Sequence, residues 1–378
     1  NPVKSQFRYF IETGETINQR IFEKYDITEK YKVNGGYMIF TTVLGHRLSG
    51  KQSNIKDFFL GGKTLPWWSV SGSMIATEIS ALTFIGVPGM VFALEGDWTY
   101  LQWGFGSIIA RFAVAYWLIP LYYEKEIYSP YDFMGNRLGE GARRLVTGLF
   151  AVGSILGQSV RVLVTAIILQ VVTGMNAPLC IVIIGAVAIL WTFMGGMQTV
   201  IWTDVIQFCL FIFGGVLALS LLVGEVGWSQ IVELNQVTID GSNRDKLRWL
   251  DFTSPFQEPS LRYTMWVALI AMPFQNFTAF GIDQLNTQRM FCCGTIKDAR
   301  KAMCWSSVSI IVTVLMLAVG AGLFAWYRVY EPSGLIAASF EKSNNVFPTW
   351  ITMEVPPGLS GLILAGAFAA AISSLDSI

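Results

Sequence analysis

Eight apolar stretches, each long enough or nearly so to cross a hydrocarbon core, recur along this 378-residue chain. A bilayer core about 30 Å thick takes about 20 apolar residues as a helix. The stretches cover residues 66–92, 100–122, 145–172, 179–194, 200–223, 264–281, 303–327 and 357–378, and a shorter one at 36–44 reads as the remnant of a leading helix. Composition agrees: 14% of residues are charged and 53% hydrophobic, whereas ordinary soluble domains carry roughly a quarter charged residues. The expectation is an all-α, multi-pass membrane protein of the cell (plasma or inner) membrane, with the lipid bilayer as its surroundings.

Basic residues in short connections set the orientation, because they collect on the cytoplasmic side. Arg47, Lys51, Lys56 and Lys63 fall on one side, followed there by Lys125, Arg137, Arg143 and Arg144, then by Arg289, Lys297, Arg300 and Lys301. The alternate short loops, 93–99 and 173–178, hold no Lys or Arg, so the long loops 224–262 and 328–356 fall outside. The chain is polar over 1–33, opens on Asn1 and closes inside an apolar run at Ile378, and both ends are expected to be cut. Lys+Arg and Asp+Glu balance at 26 each, which gives no charge for a nucleic-acid partner.

Gly and Pro in Ile85-Gly-Val-Pro-Gly89 are expected to break the first long helix. Irregular backbone survives at membrane depth only where protein or a watery cavity satisfies it. Ionisable groups there point to function, and the candidates are Glu78, Arg111, Arg161, Asp204, Asp283 and Asp376. Glu78 and Arg111 can neutralise each other between adjacent helices. Arg161 then has two readings: a bidentate clamp for a solute carboxylate, or a pair with another buried acid. In Ser373-Ser-Leu-Asp-Ser377, Ser373, Asp376 and Ser377 share a helix face with Ser374 at its edge. Such hard oxygen ligands suit a hard cation, the alternative being serines bonded to their own helix.

Enzyme chemistry finds no support. The single histidine, His46, has no partner motif, and no phosphate-cradling loop, paired-His helix or nucleophile elbow occurs. The five cysteines show no metal-ligand spacing.

Four segments together resemble the sodium/solute symporter family, which includes the sodium-coupled sugar and sialic acid transporters. They are Phe58-Phe-Leu-Gly-Gly-Lys-Thr-Leu-Pro-Trp-Trp68, Ile75-Ala-Thr-Glu-Ile-Ser-Ala-Leu-Thr-Phe-Ile-Gly86, Trp202-Thr-Asp-Val-Ile-Gln207 and Ala369-Ala-Ala-Ile-Ser-Ser374. The likeness runs from about Tyr37 to Ile378. It implies a five-plus-five inverted-repeat fold with an extra leading helix, and the chain is expected to stop before core helices nine and ten. Residues 1–35 would be a polar segment, 36–65 the leading-helix remnant and a cytoplasmic loop, and 66–223 the first repeat. Residues 224–262 would form an outer loop and 263–378 a partial second repeat.

The resemblance also implies ligands. One Na+ would lie on the backbone carbonyls of Ala76, Ile79 and Ala370 and the hydroxyls of Ser373 and Ser374. A second would use Asp204, Ser373, Asp376 and Ser377, although Asp376 stands where that pattern has a serine, so sodium and proton are both open there. Solute-binding positions carried over from sialic acid transporters are Ser80, Thr83, Gln102 and Arg161, with Glu78 also at a lining position. Of the galactose set, Asn276 is kept, Gln102 stands at an acidic position, Ile310 replaces a lysine and Ala279 stands at an aromatic one. The expectation is a sodium-coupled symporter of a small polar solute, leaning to an organic acid or acidic sugar and working by alternating access. A neutral sugar or polyol, a transporter-like sensor and a passive channel are the alternatives.

Overall fold

A computed structural model describes residues 55–124, 127, 129–173, 175–239, 242–254, 263–331 and 343–375. The leading-helix remnant at 36–44, with Asp376 and Ser377, lies outside them. Within them the chain is almost wholly helical.

Helix α1 (Ile55–Leu60) passes through a tight turn, Gly61–Lys63, into α2 (Trp67–Glu78) and α3 (Ala81–Phe92). Gly61 and Gly62 take φ of 53° and 66° in that turn, a region open to glycine at little cost. Next come α4 (Trp103–Ala113) and α5 (Ile119–Tyr123), joined by a π-turn at Val114–Leu118. Then follow α6 (Pro130–Leu138), α7 (Glu140–Thr173), α8 (Ala177–Val226) and α9 (Trp228–Leu234). A hairpin of β1 (Gln236–Ile239) and β2 (Ser242–Asp245), pairing Val237 with Arg244, precedes a second π-turn at Val267–Ala271. The rest is α10 (Met272–Gly281), α11 (Gln284–Phe291), α12 (Ile296–Trp305), α13 (Ser309–Tyr330), α14 (Val346–Met353) and α15 (Pro357–Leu375).

Among the described residues, 4 helices are long and apolar enough to cross a membrane, or 5 if α2 and α3 count as one bent span. Helix α7 turns Leu145, Leu149, Val152, Leu156 and Val160 outward, as a lipid-facing helix does. Two apolar clusters build the interior. One gathers Phe84, Phe92, Phe211, Phe324, Phe347 and Trp350 from α3, α8, α13 and α14. The other holds Leu60, Val70, Met74, Val114, Met290, Phe291 and Met303. The second takes Val70 and Met74 of α2, the first takes Ile75 and Ile79, and buried Ser73 and Thr77 lie beside the junction.

Two expectations need correction, while the 179–194 and 200–223 stretches are two helices that meet within α8 at a kink at Gly196 (φ 57°, ψ −173°). A residue bearing Cβ rarely adopts that conformation, so glycine allows the bend. The 303–327 stretch begins earlier, at Ile296, because Thr295 caps the helix with Oγ1 accepting from the Asp298 N–H at 3.1 Å. Lys297, Arg300 and Lys301 are therefore helical, and Arg300 Nε donates to the Ala115 carbonyl at 3.0 Å, inside the π-turn. Secondly, Ile85 to Gly89 does not break the helix: Pro88 lies within α3. What its segment does is pack closely, since a Cβ on Gly320 of α13 would meet the Pro88 carbonyl at 2.7 Å.

Buried Lys246 donates to the carbonyls of Ala93 (2.5 Å), Leu94 (3.3 Å) and Gly96 (2.8 Å), just past α3. Its ammonium lies 4.4 Å from the Phe324 ring centre. Beside it Arg248 pairs with Asp97 at 3.3 Å and with Asp251 at 3.2 Å.

Candidate functional site: a broken helix and two buried ion pairs

The first long helix breaks at Ile79 and Ser80, six residues before the Gly-Pro segment. Ile79 (φ −77°, ψ 121°) and Ser80 (φ −127°, ψ 175°) are both extended, and the axes of α2 and α3 differ by 55°. The local chemistry explains the position. Ser80 Oγ accepts from the Leu82 N–H at 3.2 Å, and Thr83 Oγ1 accepts from the Ser80 N–H at 3.4 Å. Such a capping box satisfies helix-start donors and is worth about 1 kcal/mol. Ser80 and Thr83 thus serve the break itself.

Glu78 ends α2 at the mouth of the break and pairs with Arg111 Nη2 of α4. Arg111 is 1% exposed, against 35% for the Glu78 side chain. Its Nη1 donates to Ser309 Oγ at 3.2 Å, and its guanidinium lies 4.1 Å from the Phe280 ring centre. Around this pair a cavity of about 100 Å³ is lined by Glu78, Tyr100, Trp103, Ser107, Arg111, Met272, Asn276, Ser309 and Thr313. Helices α2, α4, α10 and α13 all contribute, and both α4 and α10 adjoin π-turns, which recur at functional sites.

Close packing holds the walls. A Cβ on Gly106 would meet the Ala268 carbonyl at 2.3 Å and Met272 Cβ at 2.5 Å. Gly106→Leu is therefore expected to push α10 away from α4, at a cost of about 3 kcal/mol or more. A thermal midpoint equal to that of the unmodified protein would contradict this packing.

Further in, Asp204 of α8 is fully buried. Its Oδ2 accepts from Ser73 Oγ at 2.5 Å and from Arg289 Nη2 at 3.0 Å, while Arg289 Nε donates to Ser73 Oγ at 2.8 Å. Arg289 is buried too, so it is a counter-ion within the bundle and not, as expected, a loop charge. Asp204 Oδ1 and both amide atoms of Gln207 lack hydrogen-bond partners among the described residues.

The other expected site residues scatter. Asn276 reaches the cavity, with Nδ2 on the Met272 carbonyl at 2.9 Å. Gln102 is buried against the connection that precedes α10, donating to the Tyr263 carbonyl at 2.8 Å and accepting from the Asp251 N–H at 3.1 Å. Arg161 of α7 is half-buried outside that cavity; Asp283 and Arg289 are the charges acting on it, and its Nη1 has no partner among the described residues. Ala76 and Ile79 flank the break, where the Ile79 N–H still reaches the Ile75 carbonyl at 2.9 Å. Ala370, Ser373 and Ser374 fall on the α15 backbone, but their side chains are outside the described residues. Sequence reading missed Ser73, Ser107 and Arg289 as interior polar groups. For Ser73 a signal existed: Thr77 follows it by one helical turn and donates to its carbonyl at 2.9 Å.

The sequence profile of the sodium:solute symporter family matches residues 58–378. The chain belongs to that family. It is 29% identical to the sodium/sialic acid symporter SiaT of Proteus mirabilis (strain HI4320) over 92% of this chain and 68% of that protein. Against the sodium/glucose cotransporter of Vibrio parahaemolyticus the figures are 28%, 87% and 62%. The chain thus spans about two thirds of these relatives or less. A solved structure of the substrate-bound outward-open state of a Na+-coupled sialic acid symporter matches with a TM-score of 0.79 at 28% identity, over 92% of this chain and 70% of that one. The chain is therefore a membrane protein of a transporter family, not an enzyme.

Proposed function

We propose sodium-coupled symport of a small polar organic solute, leaning to an organic acid or acidic sugar, by alternating access. The observation that carries this is the α2–α3 break, where two extended residues leave a neutralised ion pair beside a polar cavity. Discontinuous helices of this kind form midplane sites in inverted-repeat transporters. The first repeat would span 66–223 and part of the second 263–378, after a leading helix.

The coupling ion is Na+. Its first site would use the carbonyls of Ala76, Ile79 and Ala370 with the hydroxyls of Ser373 and Ser374. Support comes from α15, which packs against both α2 and α8. A second site would join Asp204 to Ser373, Asp376 and Ser377, and Asp204 Oδ1, without a hydrogen-bond partner among the described residues, supports it. Solute would engage Glu78, Ser80, Thr83, Gln102, Arg161 and Asn276. Sodium favours the outward-open state, solute binds there, and closure carries both inward. The ion must then change solute affinity, and the solute must change ion affinity by the same factor.

The test is uptake by the full-length protein in proteoliposomes, with labelled sialic acid, sugars and small carboxylates, under an inward sodium gradient or an equal choline gradient. Uptake driven by sodium alone is expected. Equal uptake under both gradients would indicate a channel, and binding without uptake would favour a sensor.

A further inference from the structure

We propose that the exposed face of α12 binds the headgroup of an anionic phospholipid, with Lys297 and Lys301 on the phosphate and Trp305 at the edge of the hydrocarbon. The site shares no lining residue with the cavity at the helix break, and its occupant is a lipid, not the solute.

Helix length places this face. Helix α12, the tight turn Ser306–Val308 and α13 form one helical run of 35 residues, Ile296 to Tyr330. As a helix it rises about 52 Å, against a hydrocarbon core about 30 Å thick, so part of it stands outside the core. The outward side chains show which part. Lys297, Lys301 and Trp305 follow one another a helical turn apart, share one face and are all exposed. Further along, Ile311 and Val314 turn outward. Charge gives way to an indole and then to aliphatic chains, the order met on passing from headgroups into hydrocarbon. From Trp305 to Trp326 the rise is about 32 Å, one core thickness. Lys301 then stands about 6 Å and Lys297 about 12 Å beyond the core, and lysine stems bend to keep their ammonium groups among the headgroups.

The charge on this face is unneutralised. Neither lysine has an ion-pair partner among the described residues. Arg143 and Arg144 of α7 are equally exposed, yet they pair with Asp132 and Glu140. Asp298, the acid of α12, accepts from Thr295 Oγ1 at 2.8 Å. Arg300 is occupied by the Ala115 carbonyl and by the Tyr116 ring, 5.2 Å from its guanidinium. The Lys301 ammonium lies 5.8 Å from the Trp67 ring centre, and the Trp67 and Trp305 rings are 5.8 Å apart. An ammonium and two indoles from α2 and α12 are thus held together. A phosphate on the two lysines would send its acyl chains down past Trp305 toward Ile311 and Val314. A soluble anion would meet the lysines alone and leave that apolar stripe bare, which favours the lipid. Because α12 packs against α2 and against the π-turn at Val114–Leu118, the bound lipid braces the arm that leads to the break.

Native mass spectrometry of the purified full-length protein in neutral detergent tests this, with phosphatidylglycerol and phosphatidylcholine titrated separately. Phosphatidylglycerol is expected to bind saturably and more tightly than phosphatidylcholine. Lys297→Gln combined with Lys301→Gln is expected to raise the half-saturating phosphatidylglycerol concentration about 30-fold, about fivefold for each lysine. Both side chains are exposed, so the thermal midpoint without lipid should not fall. Arg143→Gln combined with Arg144→Gln removes the same charge from paired positions and is expected to change lipid affinity by about twofold or less. Inorganic phosphate and glycerol 3-phosphate are expected to leave the bound lipid in place. Lipid affinity unchanged in the lysine variant would overturn the site. An equal loss in the arginine variant would reduce it to overall charge, and displacement by phosphate would make it a site for free anions; either result defeats the proposal.

Discussion

Exchange of Asp204 for alanine is expected to lower stability by about 3–5 kcal/mol, because it strands a buried guanidinium. Asp204 and Arg289 are 0% and 1% exposed and meet at 3.0 Å. Water cannot reach either group to replace the lost partner. The readout is the thermal midpoint of the purified protein. Asp204→Ala combined with Arg289→Met should recover much of the loss, because the double variant removes both charges and fills the space with an apolar chain. A double variant as unstable as the single one would show that the pair is not what holds α8 to α11. The same proteins address the ion. Sodium that binds the folded state raises the midpoint with its concentration. If Asp204 ligates a second sodium, part of that rise is absent from the double variant. An undiminished rise would remove Asp204 from the ion site.

Arg161→Gln is expected to reduce kcat/KM for an acidic solute by about 100-fold or more, the scale of losing a hydrogen-bonded charge pair worth roughly 2–5 kcal/mol. Arg161 is half-buried on α7, and its Nη1, buried from water, has no hydrogen-bond partner among the described residues. Lysine should restore only part of the activity, because it lacks the planar fork that grips both carboxylate oxygens. Uptake of a neutral sugar by the same variant separates the clamp from general damage. Acid uptake that survives Arg161→Gln would discard the clamp and leave symport standing.

How much of this was readable beforehand depends on range. Hydrophobic length located four spans, or five with the bent α2–α3 pair, among the described residues, because the bilayer imposes one thickness on every helix. The break was misplaced toward Gly86, Pro88 and Gly89, since glycine and proline are the loudest local signals. Yet Pro88 is carried inside α3, and the actual break is set by a quieter one, the Ser80–Thr83 capping box. The family likeness to residues 75–86 covered that position, although composition pointed past it. Charge reading failed differently. Arg289 counted as a loop residue because it follows polar Gln284, Asn286 and Gln288. Only the fold brings it to Asp204, 85 residues away in sequence. The Glu78–Arg111 pair lay within reach, being the two ionisable groups of neighbouring spans.

Lys246 gives the segment after β2 a mechanical role. Helix α3 has two unlike ends: one is hinged at Ile79 and Ser80, and the other is followed by the three carbonyls that Lys246 grips. A rod pinned at one end and jointed at the other behaves as a lever. The β1–β2 hairpin that Lys246 directly follows is its handle, so a binder seated on that hairpin would bear on the joint without entering the cavity. Its leverage would be as large as its preference for one position of the rod over the other.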